Sequence, residues 1–291
     1  MMNFKNYQNM SKCVIPNRVT LTTNDYSDKF STMDKLASAN LSNQIVNISN
    51  TFADCVSLGK PIVWDNVKDM SNAYMNCSNL TGSPICGKNV TNMSSAYYNC
   101  QNITGSPVCG DKVTDMSNAY LNCRNLTGSP VVGDKVINMS YAYFVCTNLI
   151  GNPICSNSIT NMSYTYFYCT NLIGNPVCGE NVTDMYFTYF NCVNLTGNPA
   201  CGNNVTNMSF AYYKCPNIYG NGYFYNVTNV SNCFYGRNTS RRLNIYTYKP
   251  TTFTNYTTGS SSCVSAAITW RANSSNNCWY NTKYNIYVYQ L

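Results

Sequence analysis

The stretch NVTNMSSAYYNCQNITGSPVCGD, residues 89–111, recurs with variations along the chain and decides its fold. Seven such units cover residues 67–226. Three invariant columns run through the units, from Met70 to Met208, from Tyr74 to Tyr212 and from Cys77 to Cys215. A strict period of this length predicts stacked structural units whose like side chains form continuous columns.

Degenerate copies flank the seven units, as expected at the exposed ends of a stack. One precedes them, and Val227, Val230 and Phe234 begin another that ends near Arg237. Beyond it, residues 243–248 and 284–291 alternate apolar and polar residues, which is typical of β-strands. We therefore predict three parts, which are an N-terminal attachment or capping segment (1–44), a repeat solenoid (45–237) and a small β-rich C-terminal module (238–291).

The apolar residues in the first half of each unit have helical spacing. In residues 90–103 they fall at offsets 0, 3, 6, 7, 10 and 13, which lie on one arc of a helix. The pattern predicts one short helix per unit, held by packing because its Asn, Ser, Thr and Tyr residues are poor helix formers. The second half, such as residues 103–109, is predicted to be a short or irregular strand, since Pro107 lacks a backbone donor.

The run from Val136 to Tyr143, followed by Cys146-Thr-Asn-Leu149, resembles the BspA-type (Treponema-type) leucine-rich repeat. The resemblance covers about residues 45–237, in the Asn- and Tyr-rich form seen in tailed-phage proteins. It implies a right-handed solenoid used for adhesion or protein binding on bacterial surfaces. The Gly-Ser/Asn-Pro triplet departs from the apolar strand residues of that family. The predicted fold class is thus an α/β leucine-rich-repeat-like solenoid.

Four residues of each unit are predicted to form ladders through the core, represented by Met93, Tyr97, Cys100 and Asn102. The cysteines are interpreted as small buried hydrophobes, because Val and Phe replace them in a second column. A metal ribbon and disulfides between repeats are the alternatives. The asparagine column is interpreted as an amide ladder between units.

Two further positions of each unit lie outside the apolar arc. The first changes from polar to aromatic midway along the array, and the second is apolar throughout. These two positions supply the candidate contact surface: Tyr141, Phe144, Tyr164, Phe167, Phe187, Phe190, Phe210 and Tyr213. Three interpretations stay open, which are stacking between repeats, an interface with another subunit, and a glycan-binding strip.

The composition argues against chemistry. The chain has no histidine, and Glu180 is its only glutamate, so no Ser-His or Cys-His pair and no evident carboxylate pair exists. We predict that the protein is not an enzyme and uses no cofactor or metal. The formal net charge is +7, with six basic and no acidic residues in 227–291. This is too sparse for a nucleic-acid interface, and no stretch is apolar enough for membrane insertion.

The predicted function is a non-enzymatic structural or binding protein, a tailed-phage virion component such as a fibre, appendage or decoration subunit. Because residues 1–19 lack the apolar segment of a secretory signal, we expect synthesis in a host cytoplasm and location in the virion. Expected partners are other virion proteins, copies of itself, or a host-surface glycan or protein. The alternatives are a leucine-rich-repeat adhesin on a bacterial cell surface and a polysaccharide-degrading tail enzyme.

Overall fold

The computed structural model describes residues 9–14, 23–62, 64–254, 271–273 and 277–291. The chain divides into two compact parts, residues 1–149 and residues 150–291. The strands are β1 (Lys12–Val14), β2 (Ser38–Asn40), β3 (Thr196–Gly197), β4 (Asn217–Ile218), β5 (Gly220–Tyr223), β6 (Leu243–Thr247), β7 (Arg271–Asn273), β8 (Cys278–Asn281) and β9 (Ile286–Gln290). A short helix, α1 (Pro250–Thr254), lies between β6 and β7.

The repeats are built from turns, and the predicted helices are wrong: none forms in residues 23–62 or 64–236. Alternate N–H groups donate to the next repeat at 2.7–2.9 Å, in the pairs Met93 to Asp115, Ser95 to Ser117, Tyr97 to Ala119 and Asn99 to Leu121. The N–H groups between them donate to the carbonyl three residues earlier, as Ala96 does to Met93 at 3.0 Å. Each repeat is therefore a succession of β-turns that is hydrogen-bonded to the next repeat.

A left-handed residue at every fourth position explains why turns replace the helix. Ser95 has a φ of 54° and Asn99 a φ of 60°, values that a right-handed helix does not contain. Turns that repeat every four residues still point Met93, Tyr97 and Cys100 inward, and all three are fully buried. The apolar spacing of a helix is thus reproduced without one.

A column of Asp and Asn residues opens each run of turns. Its members form single-residue parallel β-bridges, in residues 1–149 at Asp25, Asn47, Asp69, Asn92, Asp115 and Asn138, and in residues 150–291 at Asn161, Asp184, Asn207 and Asn229. The side chain shapes the turn as well, since Asn92 Oδ1 accepts the N–H of Ser94 at 3.0 Å.

The stack begins earlier than predicted. Asp25 bridges to Asn47, and the ring of Phe30 stacks on that of Phe52 with centroids 5.7 Å apart. The assignment of residues 23–44 to a separate N-terminal segment is therefore wrong, because they form a further degenerate repeat. Strand β1 pairs in parallel with β2 at this end.

The tyrosine column does more than fill the core. Its rings are fully buried and stacked, with centroids 5.6 Å apart between Tyr97 and Tyr120. The Tyr120 hydroxyl donates to the carbonyl of Val108 at 2.6 Å and accepts the N–H of the same residue at 3.0 Å. One phenol thus satisfies both backbone groups of the residue that follows Pro107.

This phenol contact explains why the second half of most units is not a strand. Because the N–H and carbonyl of Val108 both bond to the phenol, they need no partner in a neighbouring strand. A phenylalanine in this column has no hydroxyl, so the corresponding backbone groups need other hydrogen-bond partners. Phe52 and Phe234 hold the tyrosine position in the degenerate repeats, and the segments that a phenol would contact there lie in β2 and β5. At these positions the chain pairs as a parallel strand, with β1 and with β6 respectively.

The cysteine column is buried and hydrogen-bonded. The Cys123 thiol donates to the carbonyl of Tyr97 in the preceding repeat at 3.0 Å. Asn102, in contrast, is exposed, so its assignment to the core is wrong. Its side chain still joins repeats, since Nδ2 donates to the carbonyl of Ser78 at 2.8 Å.

The predicted β-rich C-terminal region contains a five-stranded sheet in the order β5-β6-β9-β8-β7. β5, β6 and β9 run parallel, and β8 is antiparallel to both β9 and β7. Because β5 comes from the repeat array, the sheet continues the stack beyond the predicted boundary at residue 238. Arg237 is buried and donates to the carbonyls of Ile218, Arg241 and Tyr284, which ties the sheet to the last repeat.

Candidate functional site

The outer side of the turn run carries the predicted contact surface. All eight predicted residues are half-buried. Within residues 150–291 we define the aromatic stripe as six of the predicted residues together with Tyr235, which was not predicted. Its members are Tyr164, Phe167, Phe187, Phe190, Phe210, Tyr213 and Tyr235. Tyr235 holds the position of Tyr213 in the degenerate last repeat, and this equivalence is the signal by which the sequence reveals it.

The stripe consists of two columns of stacked rings. Successive rings within a column are 4.6–5.0 Å apart and within 14° of parallel. The two columns touch in each repeat, as between Phe187 and Phe190, whose centroids are 5.1 Å apart. Tyr186 adds an edge contact to the ring of Phe187 at 4.5 Å. The result is a lattice of aromatic rings with a regular spacing.

Stacking decides which part of each ring meets a partner. The faces of Phe187 and Phe190 are covered by their neighbours in the same column, so their edges are the parts left for solvent. A sugar ring binds best against an open aromatic face. The phenylalanine rings at the centre of the stripe offer no hydroxyl or charge in exchange. The geometry therefore disfavours a glycan-binding strip at this place and suits an apolar partner.

The fold does not require aromatic residues at these positions. Tyr164, Phe187 and Phe210 have φ values of 55–57°, a left-handed conformation that bulky residues rarely adopt. Asn72 and Asn118 occupy the same position of earlier repeats, with φ values of 52° and 56°. Asn adopts this conformation at lower cost, so packing of the repeats alone does not explain the aromatic choice.

In residues 1–149 the same side of the turns is more polar. Tyr141 and Phe144 contact each other there, with centroids 5.6 Å apart. Beside them lies a groove of 550 Å³ lined by Asn76, Tyr98, Asn99, Leu121, Asn122, Arg124, Phe144 and Val145. Three of the lining residues form an amide ladder, since Asn122 donates to Asn99 at 2.7 Å and Asn99 to Asn76 at 3.0 Å.

Replacing Val145 by asparagine is expected to stabilise the protein. Val145 holds a left-handed φ of 58° although it is β-branched, and Asn122 occupies the equivalent position one repeat earlier. Relief of this strain is expected to add about 1 kcal/mol to the free energy of unfolding. Urea unfolding measures the change. Val56→Asn, at an exposed valine, is the control and should change little; a less stable Val145→Asn protein contradicts the prediction.

The cysteines that the structure describes do not form a reactive site. Burial raises the pKa of the Cys86 thiol to about 12 and that of Cys109 to about 11, which keeps both protonated at neutral pH. All cysteines in the described ranges are free thiols. Within the same ranges no group of three His, Cys, Asp or Glu side chains has a metal-binding arrangement. The thiols act as core side chains and weak donors.

The described part of the chain contains no helix with the length and hydrophobicity needed to cross a lipid bilayer.

Comparison with known proteins does not show a family for this chain. No protein-family profile and no curated protein matches it. Among solved structures, it is similar to a leucine-rich cell surface protein from Faecalibacterium prausnitzii A2-165, at 17% identity over 82% of this chain and 88% of that chain, with a TM-score of 0.38. Because a TM-score this low does not establish a shared fold, the leucine-rich-repeat assignment stays a prediction.

Proposed function

We propose that the protein is a non-enzymatic assembly element that associates with a second copy of itself through the aromatic stripe. The observation that supports this is the half-exposed lattice of rings, held in a backbone conformation that asparagine adopts at lower cost. Exposed apolar patches of this kind mark interaction surfaces.

The spacing of the stripe favours a second copy over an unrelated partner. Its ring edges form ridges 4.6–5.0 Å apart. A partner whose ridges have the same spacing interlocks with these ridges along their whole length. A second copy of the chain has this ring spacing because its sequence is the same. Two copies related by a twofold axis bring the same patch together from both sides.

The finer proposal is that this element is a virion component of a tailed phage, in a fibre, appendage or decoration. A composition poor in charge, with 10% charged residues, and rich in amides and hydroxyls supports a structural role. A bacterial surface adhesin is the alternative. Mass spectrometry of purified phage particles tests the virion assignment, and absence of the chain from the particles contradicts it.

The double variant Phe187→Asn and Phe210→Asn is expected to abolish self-association without loss of folding. Asparagine suits the left-handed backbone at both positions and removes the central rings of one column. Sedimentation equilibrium at about 10–100 µM should give dimers for the natural chain and monomers for the variant.

The matched control is Ile150→Asn with Ile173→Asn, which removes two side chains that are each 51% exposed in residues 150–291 but lie outside the stripe. This control should still dimerise. A natural chain that stays monomeric, or a stripe variant that associates as strongly as the control, contradicts the proposal.

A further inference from the structure

The outward face of the C-terminal sheet is a second organised surface. Burial alternates along its central strands, with Ile245 and Val288 buried and the residues beside them outward. We define the tyrosine face as the outward residues of β5, β6, β9 and β8: Asn221, Tyr223, Asn244, Tyr246, Tyr287, Tyr289 and Tyr280. This face lies apart from the stripe along the chain and has a different chemistry, with a phenol or amide at each position.

Two ordered rows cross this face. Tyr223, Tyr246 and Tyr289 stack across β5, β6 and β9 with centroids 4.9 Å apart in both steps. In the second row, the Asn244 amide donates to Asn221 Oδ1 at 2.7 Å. The sheet register places equivalent side chains opposite one another, which orders both rows. The face therefore presents fixed hydroxyl and amide groups.

Arg242 is held on this face in a preset orientation. Its guanidinium lies 3.7 Å from the ring centroid of Tyr287, at a distance typical of a cation–π contact. Its Nε donates to Asn244 Oδ1 at 2.7 Å, and Nη2 donates to the Tyr289 hydroxyl. Nη1 has no partner among the residues that the structure describes. A planar cation oriented in this way suits a carboxylate, to which it donates paired hydrogen bonds.

The charge around the face has one sign. Beyond Asp184 the chain contains no Asp or Glu, whereas residues 185–291 contain seven Lys and Arg. Nearby, Arg241 lies 4.4 Å from the ring centroid of Tyr219 and is exposed. A ligand here meets a positive field without a competing Asp or Glu side chain, so the field selects for an anion.

We infer that the tyrosine face with Arg242 binds an acidic polysaccharide, through a sugar carboxylate on the guanidinium and sugar hydroxyls on the phenols and amides. Nucleic acid fits less well, because bases stack on open ring faces. Here the rings of Tyr223, Tyr246 and Tyr289 lie against one another. The inference is independent of self-association through the stripe.

Calorimetric titration of the full chain with oligosaccharides of alginate, a polyuronate, tests the inference. The natural chain should bind alginate and not dextran, which is neutral. Arg242→Gln should weaken binding about tenfold, the effect of losing one charge-assisted pair. Tyr289→Phe keeps the Arg242 charge but removes the hydroxyl that orients its guanidinium. This variant should bind alginate about threefold more weakly.

Lys135→Gln is the matched control, because it removes the same charge from an exposed residue within residues 1–149. It should leave the affinity for alginate unchanged. Thermal unfolding of each variant shows that it is folded. Three outcomes overturn the inference: no binding of alginate by the natural chain, equal losses in Arg242→Gln and Lys135→Gln, or tighter binding of a thymidine oligonucleotide than of alginate.

Discussion

Raising the pH above about 9 is expected to unfold the protein, because its buried thiols must stay protonated in the fold. Burial raises the pKa of the Cys215 thiol to about 12 and holds that of Cys123 well above its ordinary value. Core cysteines of the same column, Cys77, Cys100, Cys146 and Cys192, are shifted in the same direction by the same cause. In the unfolded chain each thiol ionises at its ordinary pKa of about 8.5.

The sign follows from proton binding. Below about pH 8.5 both states are protonated and the stability is at its full value. Above that pH the unfolded chain binds fewer protons than the folded one, so the free energy of unfolding falls by about 1.4 kcal/mol per thiol per pH unit until the folded pKa is reached. The combined loss from a few such thiols exceeds the free energy of unfolding of a typical folded domain, which is roughly 5–15 kcal/mol.

Urea unfolding at a series of pH values, with a reductant present, measures this effect. The unfolding midpoint should be level near neutral pH and fall steeply above about pH 8.5–9. Replacing Cys123 by valine removes one thiol and should reduce the slope. An unfolding midpoint that is the same at about pH 7 and pH 10.5 contradicts the prediction.

Replacing Tyr120 by phenylalanine is expected to cost about 2–4 kcal/mol, although the ring and its stacking are kept. The hydroxyl is the partner of both the N–H and the carbonyl of Val108, and Pro107 beside it has no N–H to offer in exchange. Without the phenol, both groups lose their hydrogen bonds beside a buried core. The loss should appear in urea unfolding and in faster hydrogen exchange at the Val108 amide.

Tyr98→Phe is the control for this change, since Tyr98 is half-buried at the groove and its hydroxyl makes no such contact with the backbone of the described residues. It should cost less than about 0.5 kcal/mol. Equal stability of Tyr120→Phe and the natural chain would show that the phenol contact does not hold the second half of the repeat.

The sequence predicted which residues form the core, because burial follows the period of the pattern. Met93, Tyr97 and Cys100 were assigned to the core and are fully buried. It also predicted that the column from Asn72 to Phe210 lies outside the core and becomes aromatic, since the change along it is visible in the sequence. The use of this column as a contact surface stays a proposal.

The candidate site on the C-terminal sheet was not predicted. Arg242 gains its place from the pairing of β6 with β9, two strands that are distant in the sequence, and Tyr287 and Tyr289 reach it from β9. The alternation of residues 243–248 and 284–291 indicated strands but not their order. Strand order depends on contacts between distant parts of the chain, which a local pattern does not contain.

By itself, the sequence determined the repeat period, the stacked columns and the side of each unit that is buried. Only the tertiary structure decided that these units are turns and not helices. Apolar residues three and four apart point inward in either case. The two structures differ in their backbone hydrogen bonds. In a helix each N–H donates within the helix, whereas here the Met93 N–H donates to the carbonyl of Asp115 in the next repeat. That choice depends on the neighbouring repeat, and the same is true of the Tyr120 hydroxyl that takes the place of a strand partner.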